Sequence, residues 1–202
     1  MIKVAVFVSG RGSNLQAVLN SAKLKNLVTV DSVISDKKNC KAFQIAAENS
    51  IDHFTLGSEE DSIGYKQLTN FLKARNIDLV VLAGFLKLIP TELIREFKTR
   101  IINIHPALLP AFGGKGMYGM NVHKAVLESS QTKSGATVHL VDETYDTGKI
   151  IAQREVDISD LDSAEAIAAR VLKIEHELLP FVIEKFAENK IDISKDKVII
   201  LQ

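Results

Sequence analysis

One cysteine, four prolines and no tryptophan stand among 202 residues. A lone Cys40 can neither close an internal disulfide nor build a cysteine zinc site, so the fold has neither staple. No apolar run nears the roughly 18 residues needed to cross a bilayer. The five-residue apolar run within Met1 to Val8 is too short for a signal-peptide core. Excess charge is also missing. Twenty-five basic residues balance 25 acidic ones, which removes any general attraction for nucleic acid or acidic lipid. There is no internal repeat, charge block or Ser/Pro linker, so one domain is the simplest organisation. What is left is an ordinary globular composition, 46% hydrophobic and 25% charged, in a chain long enough to bury a substantial core. The expected setting is a reducing cytoplasm.

Short apolar runs alternate with longer amphipathic ones. Ile2–Val8 is β-branched and almost wholly apolar, as a strand covered on both faces should be, and Val28–Ile34, Leu79–Ala83 and Ile101–Ile104 repeat the signature. Between them Asn14–Lys25, Lys41–Ser50 and Ser62–Arg75 read as helices; in the last, Tyr65, Leu68, Phe71 and Leu72 form one apolar stripe. This alternation predicts an α/β fold: a doubly wound, mostly parallel, Rossmann-like sheet with helices on both faces. The second half differs. Ala136–Val141 and Ile150–Ile158 predict an antiparallel strand pair extending the sheet, because Asp142–Lys149 leaves no room for a helix between them. Asp162 and Glu165 form a helix-start pair, and Ile167, Val171, Ile174 and Leu178 then run towards Pro180, where a kink or break is expected. Val198–Leu201 suggests a short edge strand.

Three stretches can carry chemistry. Ser9-Gly10-Arg11-Gly12-Ser13-Asn14 lies where the first strand meets the first helix. Glycines admit close backbone approach, and the helix start offers unpaired N–H groups to a phosphate or carboxylate. It is not a dinucleotide fingerprint, since Leu15 stands at the third glycine position, and no P-loop motif occurs anywhere. In Ile102-Asn103-Ile104-His105-Pro106 the alternation of an extended chain puts Asn103 and His105 on one face, and Pro106 keeps His105 extended. Two polar groups at the carboxyl end of a buried strand sit where open α/β sheets bind ligands. An amide can stabilise an oxyanion and an imidazole can move a proton near neutrality. Asp146-Thr147-Gly148 suits a turn; as an aspartic-protease triplet it lacks a second copy. His53, His123 and His139 read as structural, Glu175-His176-Glu177 does not converge on a metal, Lys37-Lys38 reads as solvated surface, and Gly113–Gly116 reads as a mobile loop.

Taken in order, SGRGSNLQ, VVLAGFLKLI, INIHPALLPAFGGKGMYG and the Asp146 loop resemble the 10-formyltetrahydrofolate-dependent formyltransferases, specifically the glycinamide ribonucleotide formyltransferases, from about Ile2 to Phe186. Relatives acting on methionyl-tRNA, or hydrolysing formyltetrahydrofolate, carry further domains for which 202 residues leave no room. The resemblance implies one domain, with residues 1–100 as a nucleotide- and phosphate-binding half and 101–202 as a catalytic and folate-binding half. It implies transfer of formyl from 10-formyltetrahydrofolate to 5′-phosphoribosylglycinamide in purine biosynthesis. Gly12, Ser13 and Asn14 would hold the phosphate; Leu86, Lys87, Leu88, Ile89 and Asn103 would line the folate pocket; Glu175 would contact the sugar or glycinamide. Asn103 and His105 would stabilise the tetrahedral intermediate, with Asp146 raising the His105 pKa and assisting proton transfer. Small molecules would be the partners of a monomer or homodimer, with no metal, nucleic acid or membrane. Two positions depart from the pattern: Leu172 stands where relatives commonly carry Lys or Gln, and the segment before Tyr65 lacks an arginine that some direct at the folate tail. An amino-sugar formyltransferase and a non-catalytic nucleotide-binding module are the competing readings.

Overall fold

The computed structural model describes residues 1–57, 61–194 and 197–201. The chain forms two compact units, Met1–Asn103 and Ile104–Gln202. The fold is α/β, mostly parallel, with an antiparallel pair in the C-terminal half.

In the first unit β1 (Ile2–Phe7), β2 (Val28–Ser35), β3 (Asp52–Thr55), β4 (Leu79–Leu82) and the start of β5 (Ile101–His105) lie in the order β3-β2-β1-β4-β5. All the pairings are parallel. The apolar runs became strands because they are buried on both faces: Val4, Ala5, Val6, Phe7, Val80 and Val81 are fully inaccessible. Helices α1 (Ser13–Asn20), α2 (Ala42–Glu48), α3 (Tyr65–Ala74) and α4 (Thr91–Glu96) connect them. The helices are shorter than expected. After Asn20 the chain runs through successive turns, closed by the Ser21, Leu24 and Leu27 amides, that bury Leu24 without extending the helix to Lys25. The pairing of β1 with both β2 and β4 reverses the direction of strand order there. This reversal opens a crevice at the carboxyl ends of β1 and β4, where open α/β sheets bind ligands.

β3 went unpredicted because Asp52-His53-Phe54-Thr55 is short, polar and at the edge of this unit's strand order. It is held from outside by Arg75 at the end of α3. The guanidinium binds Asp31 of β2 and Asp52 of β3, each at 2.6 Å, and lies over the Phe54 and Phe71 rings. His53 lies against Phe43, with ring centres 4.8 Å apart.

The second unit contains α5 (Met120–Glu128), the antiparallel pair β6 (Lys133–Leu140) and β7 (Ile150–Asp157), and the long helix α6 (Ala164–Ala187), which packs on α5, β6 and β7. The β6–β7 register slips between Val138 and His139, so β7 carries one extra residue beside His139. Two expectations are corrected. The cap of α6 is Ser163, whose hydroxyl accepts from the Ala166 amide, rather than Asp162. Pro180 does not interrupt α6, which continues to Ala187. A proline removes one backbone donor, but Pro180 and its neighbours Leu178, Leu179 and Val182 are buried, so packing outweighs that loss. The C-terminal run forms β9 (Val198–Ile200), which pairs with β8 (Ile191–Ile193) in a separate two-stranded sheet.

Arg75→Met keeps the apolar stem over the rings but strands the Asp31 carboxylate, which is left with Lys3 at 3.6 Å. Urea denaturation should show a loss of about 1–3 kcal/mol. A change within about 0.5 kcal/mol, the range of an ordinary surface substitution, would mean the clamp is not a fastening of β3.

Candidate active site

In the second unit three side chains distant in sequence meet. His105, at the end of β5, is 3% exposed. Its Nε2 is 2.8 Å from the Phe112 carbonyl; a carbonyl only accepts, so Nε2 carries a proton. The other nitrogen, Nδ1, faces Asp146 Oδ2 at 3.6 Å. The same carboxylate oxygen accepts the Gly114 amide at 2.9 Å. Asp146 Oδ1 faces Nε2 of His139 at 3.5 Å, and His139 Nδ1 donates to the Leu140 carbonyl at 2.8 Å. One carboxylate therefore lies between two imidazoles, each anchored through its far nitrogen to the backbone.

The loop carrying Asp146 is built to present it. Asp146 has φ +59°, a left-handed conformation that aspartate tolerates better than most residues. The Asp142 carboxylate gathers the Thr144 amide and the Thr144 and Thr147 hydroxyls. Gly148 is obligatory, since a Cβ there would lie 1.7 Å from the Leu140 carbonyl oxygen. A Cβ at Gly113 would lie 2.5 Å from Leu109 and 3.2 Å from the Asp146 Cβ. The Gly114 amide is thus tied to Asp146, and no side chain fits at Gly113. Upstream, the Thr137 hydroxyl donates to the Ala107 carbonyl at 2.6 Å and accepts the Leu109 amide at 3.1 Å, while Gln153 donates to the Leu109 carbonyl at 2.8 Å. Strands β6 and β7 therefore grip the segment that follows His105. The Leu109–Pro110 peptide bond is cis.

Burial pushes the His105 pKa down; the Asp146 charge and the Phe112 carbonyl push it up, His139 adds to the lowering, and the net direction is down. Asp146 does raise this pKa, as expected, but desolvation is larger and sets the net direction. Burial also opposes the charge on Asp146, yet His139, His105 and the Gly114 amide together outweigh it and hold the carboxyl below its ordinary value. His123 on α5 is held low by burial and by His105, and its Nδ1 has no hydrogen-bond partner among the described residues. Glu175 is buried on α6 in the same unit, with Leu172 and Lys173 one turn before it.

The first unit carries the other expected residues. Ser13 and Asn14 open α1, and Gly12 caps it at φ +80° without a side-chain hydrogen bond to the first-turn amides. A Cβ at Gly12 would lie 2.8 Å from the Ala42 Cβ, so the loop is pressed against α2. Leu15 is fully buried, which is why a third glycine is not used there. After β4, Phe85 and Ile89 are buried while Leu86, Lys87 and Leu88 are exposed. Asn103 is half-buried on β5, paired in register with Leu82. Lys37 and Lys38 are exposed, as expected.

His139 is the residue that sequence reasoning set aside. The available signal was the alternation of Thr137 and His139, two polar residues in a strand of apolar neighbours, both fully or almost fully buried. Phe112 and Gly114 act through backbone groups, which residue type does not reveal.

Residues 2–183 match the family model described as formyl transferase. A phosphoribosylglycinamide formyltransferase from Bacillus subtilis is 36% identical over 189 residues, covering 92% of this chain and 94% of that protein. A chloroplastic phosphoribosylglycinamide formyltransferase from Vigna unguiculata is 47% identical over 99% of this chain, which spans 65% of that longer protein. The crystal structure of the phosphoribosylglycinamide formyltransferase from Anaplasma phagocytophilum superposes with a TM-score of 0.88 at 31% identity, covering 100% of this chain and 95% of that one. On the family match and on relatives aligned along nearly its whole length, the chain belongs to the formyltransferases, within the phosphoribosylglycinamide formyltransferase family.

Proposed function

We propose that the chain transfers the formyl group of 10-formyltetrahydrofolate to the primary amine of 5′-phosphoribosylglycinamide, a step of purine biosynthesis. The observation that carries this reading is the Asp146 carboxylate lodged between His105 and His139 in a chain of the formyltransferase family. The amine lone pair attacks the formyl carbon, forming a C–N bond and moving the carbonyl π pair onto oxygen. The Asn103 amide donates to that oxygen as its charge develops. The attacking nitrogen must then lose a proton and the folate N10 must gain one before its bond to carbon breaks. His105, with Asp146 as counterion, is the relay between them, its Nε2 exchanging the Phe112 carbonyl for a water or for the reacting nitrogens. Products are the N-formyl nucleotide and tetrahydrofolate, with no change of oxidation state. A protonatable nitrogen is the leaving group, so the chemistry asks for no metal.

The other roles follow from the groups each residue offers. Gly12, Ser13 and Asn14 present amides at the start of α1 to the ester phosphate. Leu86, Lys87, Leu88 and Ile89, with Asn103, take the pterin end of the folate, and Glu175 accepts from the sugar or glycinamide. His139 holds Asp146 in place. The partners on this reading are small molecules, for a monomer or a homodimer in the cytoplasm. The cowpea and Arabidopsis relatives are named chloroplastic. No helix among the described residues is long and apolar enough to cross a membrane.

Asn103→Ala, His105→Ala and Asp146→Ala should each lower kcat about 10²- to 10³-fold, the scale of losing one preorganised donor or proton carrier. Circular dichroism should stay near wild type. A folded triple variant with undiminished turnover would overturn the assignment.

His105 should titrate below its ordinary 6.5, followed by NMR of the imidazole carbons. Asp146→Asn removes a raising influence, so the midpoint should move lower still. The linkage has a definite sign. Between pH 6.5 and the folded midpoint the unfolded chain takes up a proton that the folded chain refuses, so stability falls as pH drops through that window. A folded midpoint at or above 6.5 would mean that the carboxylate outweighs burial.

A further inference from the structure

We infer that Ser9 is a positioning residue for the folate co-substrate, fastening the Leu86–Ile89 segment through its hydroxyl, with Asp36 fixing the direction of the hydroxyl proton. The inference rests on the proposed function, which assigns that segment to the pterin ring, and it adds residues to which that reading gives no role.

Ser9 stands two residues beyond β1, at the mouth of the crevice between the carboxyl ends of β1 and β4, and is 2% exposed. The two loops that wall the crevice meet at this residue. Its backbone amide donates to the Gly84 carbonyl at 2.9 Å, continuing the ladder in which the Ala83 amide donates to the Phe7 carbonyl. Its hydroxyl lies 2.6 Å from Asp36 Oδ1 and 3.0 Å from the Leu86 amide nitrogen. A hydroxyl has one proton. The Asp36 carboxylate takes it, so a Ser9 lone pair must face the Leu86 N–H. Asp36 thus decides the polarity of the bond that holds the β4 loop.

The segment so held is fixed at three points. Phe85 is buried edge-on against Phe7, with ring centres 5.3 Å apart; Ile89 is buried; and the Leu86 amide is tied to Ser9. Between the anchors, Leu86 and Leu88 stand 39% and 48% exposed. Large apolar side chains on a pinned backbone form a preorganised apolar surface, suited to the faces of a fused heteroaromatic ring. Loosening one anchor should cost affinity for that ring and leave Gly12, Ser13 and Asn14, the residues assigned to the phosphate, much less affected.

Steady-state kinetics of both substrates, with calorimetric titration of tetrahydrofolate, separate the outcomes. Ser9→Ala should raise KM for 10-formyltetrahydrofolate and Kd for tetrahydrofolate about 5- to 20-fold, the effect of losing one buried hydrogen bond. KM for phosphoribosylglycinamide should stay within about 2-fold and kcat within about 3-fold, because the Ser9 hydroxyl binds Asp36 and Leu86 and none of the residues assigned to the phosphate or to the reaction. Ser9→Thr, which keeps the hydroxyl, should restore most of the loss. Half-buried Asp36, replaced as Asp36→Ala, should shift the same folate constants in the same direction, and it carries the test if Ser9→Ala does not fold. Unchanged folate constants in both alanine variants would overturn the inference, as would an equal rise in both substrates' KM, the mark of general loosening. If instead the wild-type protein transfers no formyl group to phosphoribosylglycinamide, it is the proposed function that fails.

Discussion

A carboxylate largely withdrawn from water must be compensated, and the second unit is organised around that requirement at Asp146: the Gly114 amide donates to it, and an imidazole facing it can donate only when the ring is charged. Oxygens of Asp146 face His105 at 3.6 Å and His139 at 3.5 Å, and one accepts the Gly114 amide at 2.9 Å. Each of these partners is itself committed. The two histidines spend their remaining nitrogens on the Phe112 and Leu140 carbonyls, which fixes tautomer and ring orientation together. The left-handed backbone at Asp146, the glycines at 113 and 148 and the extra residue of β7 beside His139 are local costs that the cluster makes worthwhile.

The first unit solves a different problem with the same economy. Its strand order reverses at β1, and the two loops leaving β1 and β4 there are the glycine-rich turn before α1 and the segment Gly84–Pro90. Both loops are fixed by burial at their roots. Leu15, Phe85 and Ile89 enter the core, and Gly12 is pressed on Ala42 so closely that no side chain fits. Rigid roots leave the tips, Gly10, Arg11 and Leu86 to Leu88, open to solvent. Binding surfaces held by a packed frame pay less ordering entropy when a ligand arrives.

How much of this was legible depends on whether a residue's reason is local. β1, β4 and β5 announce themselves because a doubly covered strand is mostly apolar, β2 does so less cleanly across Asp31 and Ser32, and Asn103 and His105 stand out by breaking the apolar run next to Pro106. β3 was hidden because its stability comes from Arg75, 20 residues past its last residue, Thr55. Pro180 misled for the converse reason: the local cost of a helical proline is real, but burial of the surrounding face exceeds it. His105 and Asp146 are separated by 40 residues, so their proximity is a property of the tertiary fold that no spacing rule contains. His139 reads as structural from sequence, and what faces it, Asp146 Oδ1 at 3.5 Å, is set by the tertiary fold.

At His105 burial disfavours the charged imidazole. The Asp146 carboxylate and the Phe112 carbonyl oppose that desolvation without overcoming it. The net direction favours the neutral ring, while a counterion and a hydrogen-bond acceptor are already oriented for its charged form. Deep burial and a fixed carboxylate therefore act on the ring in opposite directions, with burial the larger. His139 contributes by keeping Asp146 ionised, since a protonated carboxyl would leave the burial of His105 unopposed.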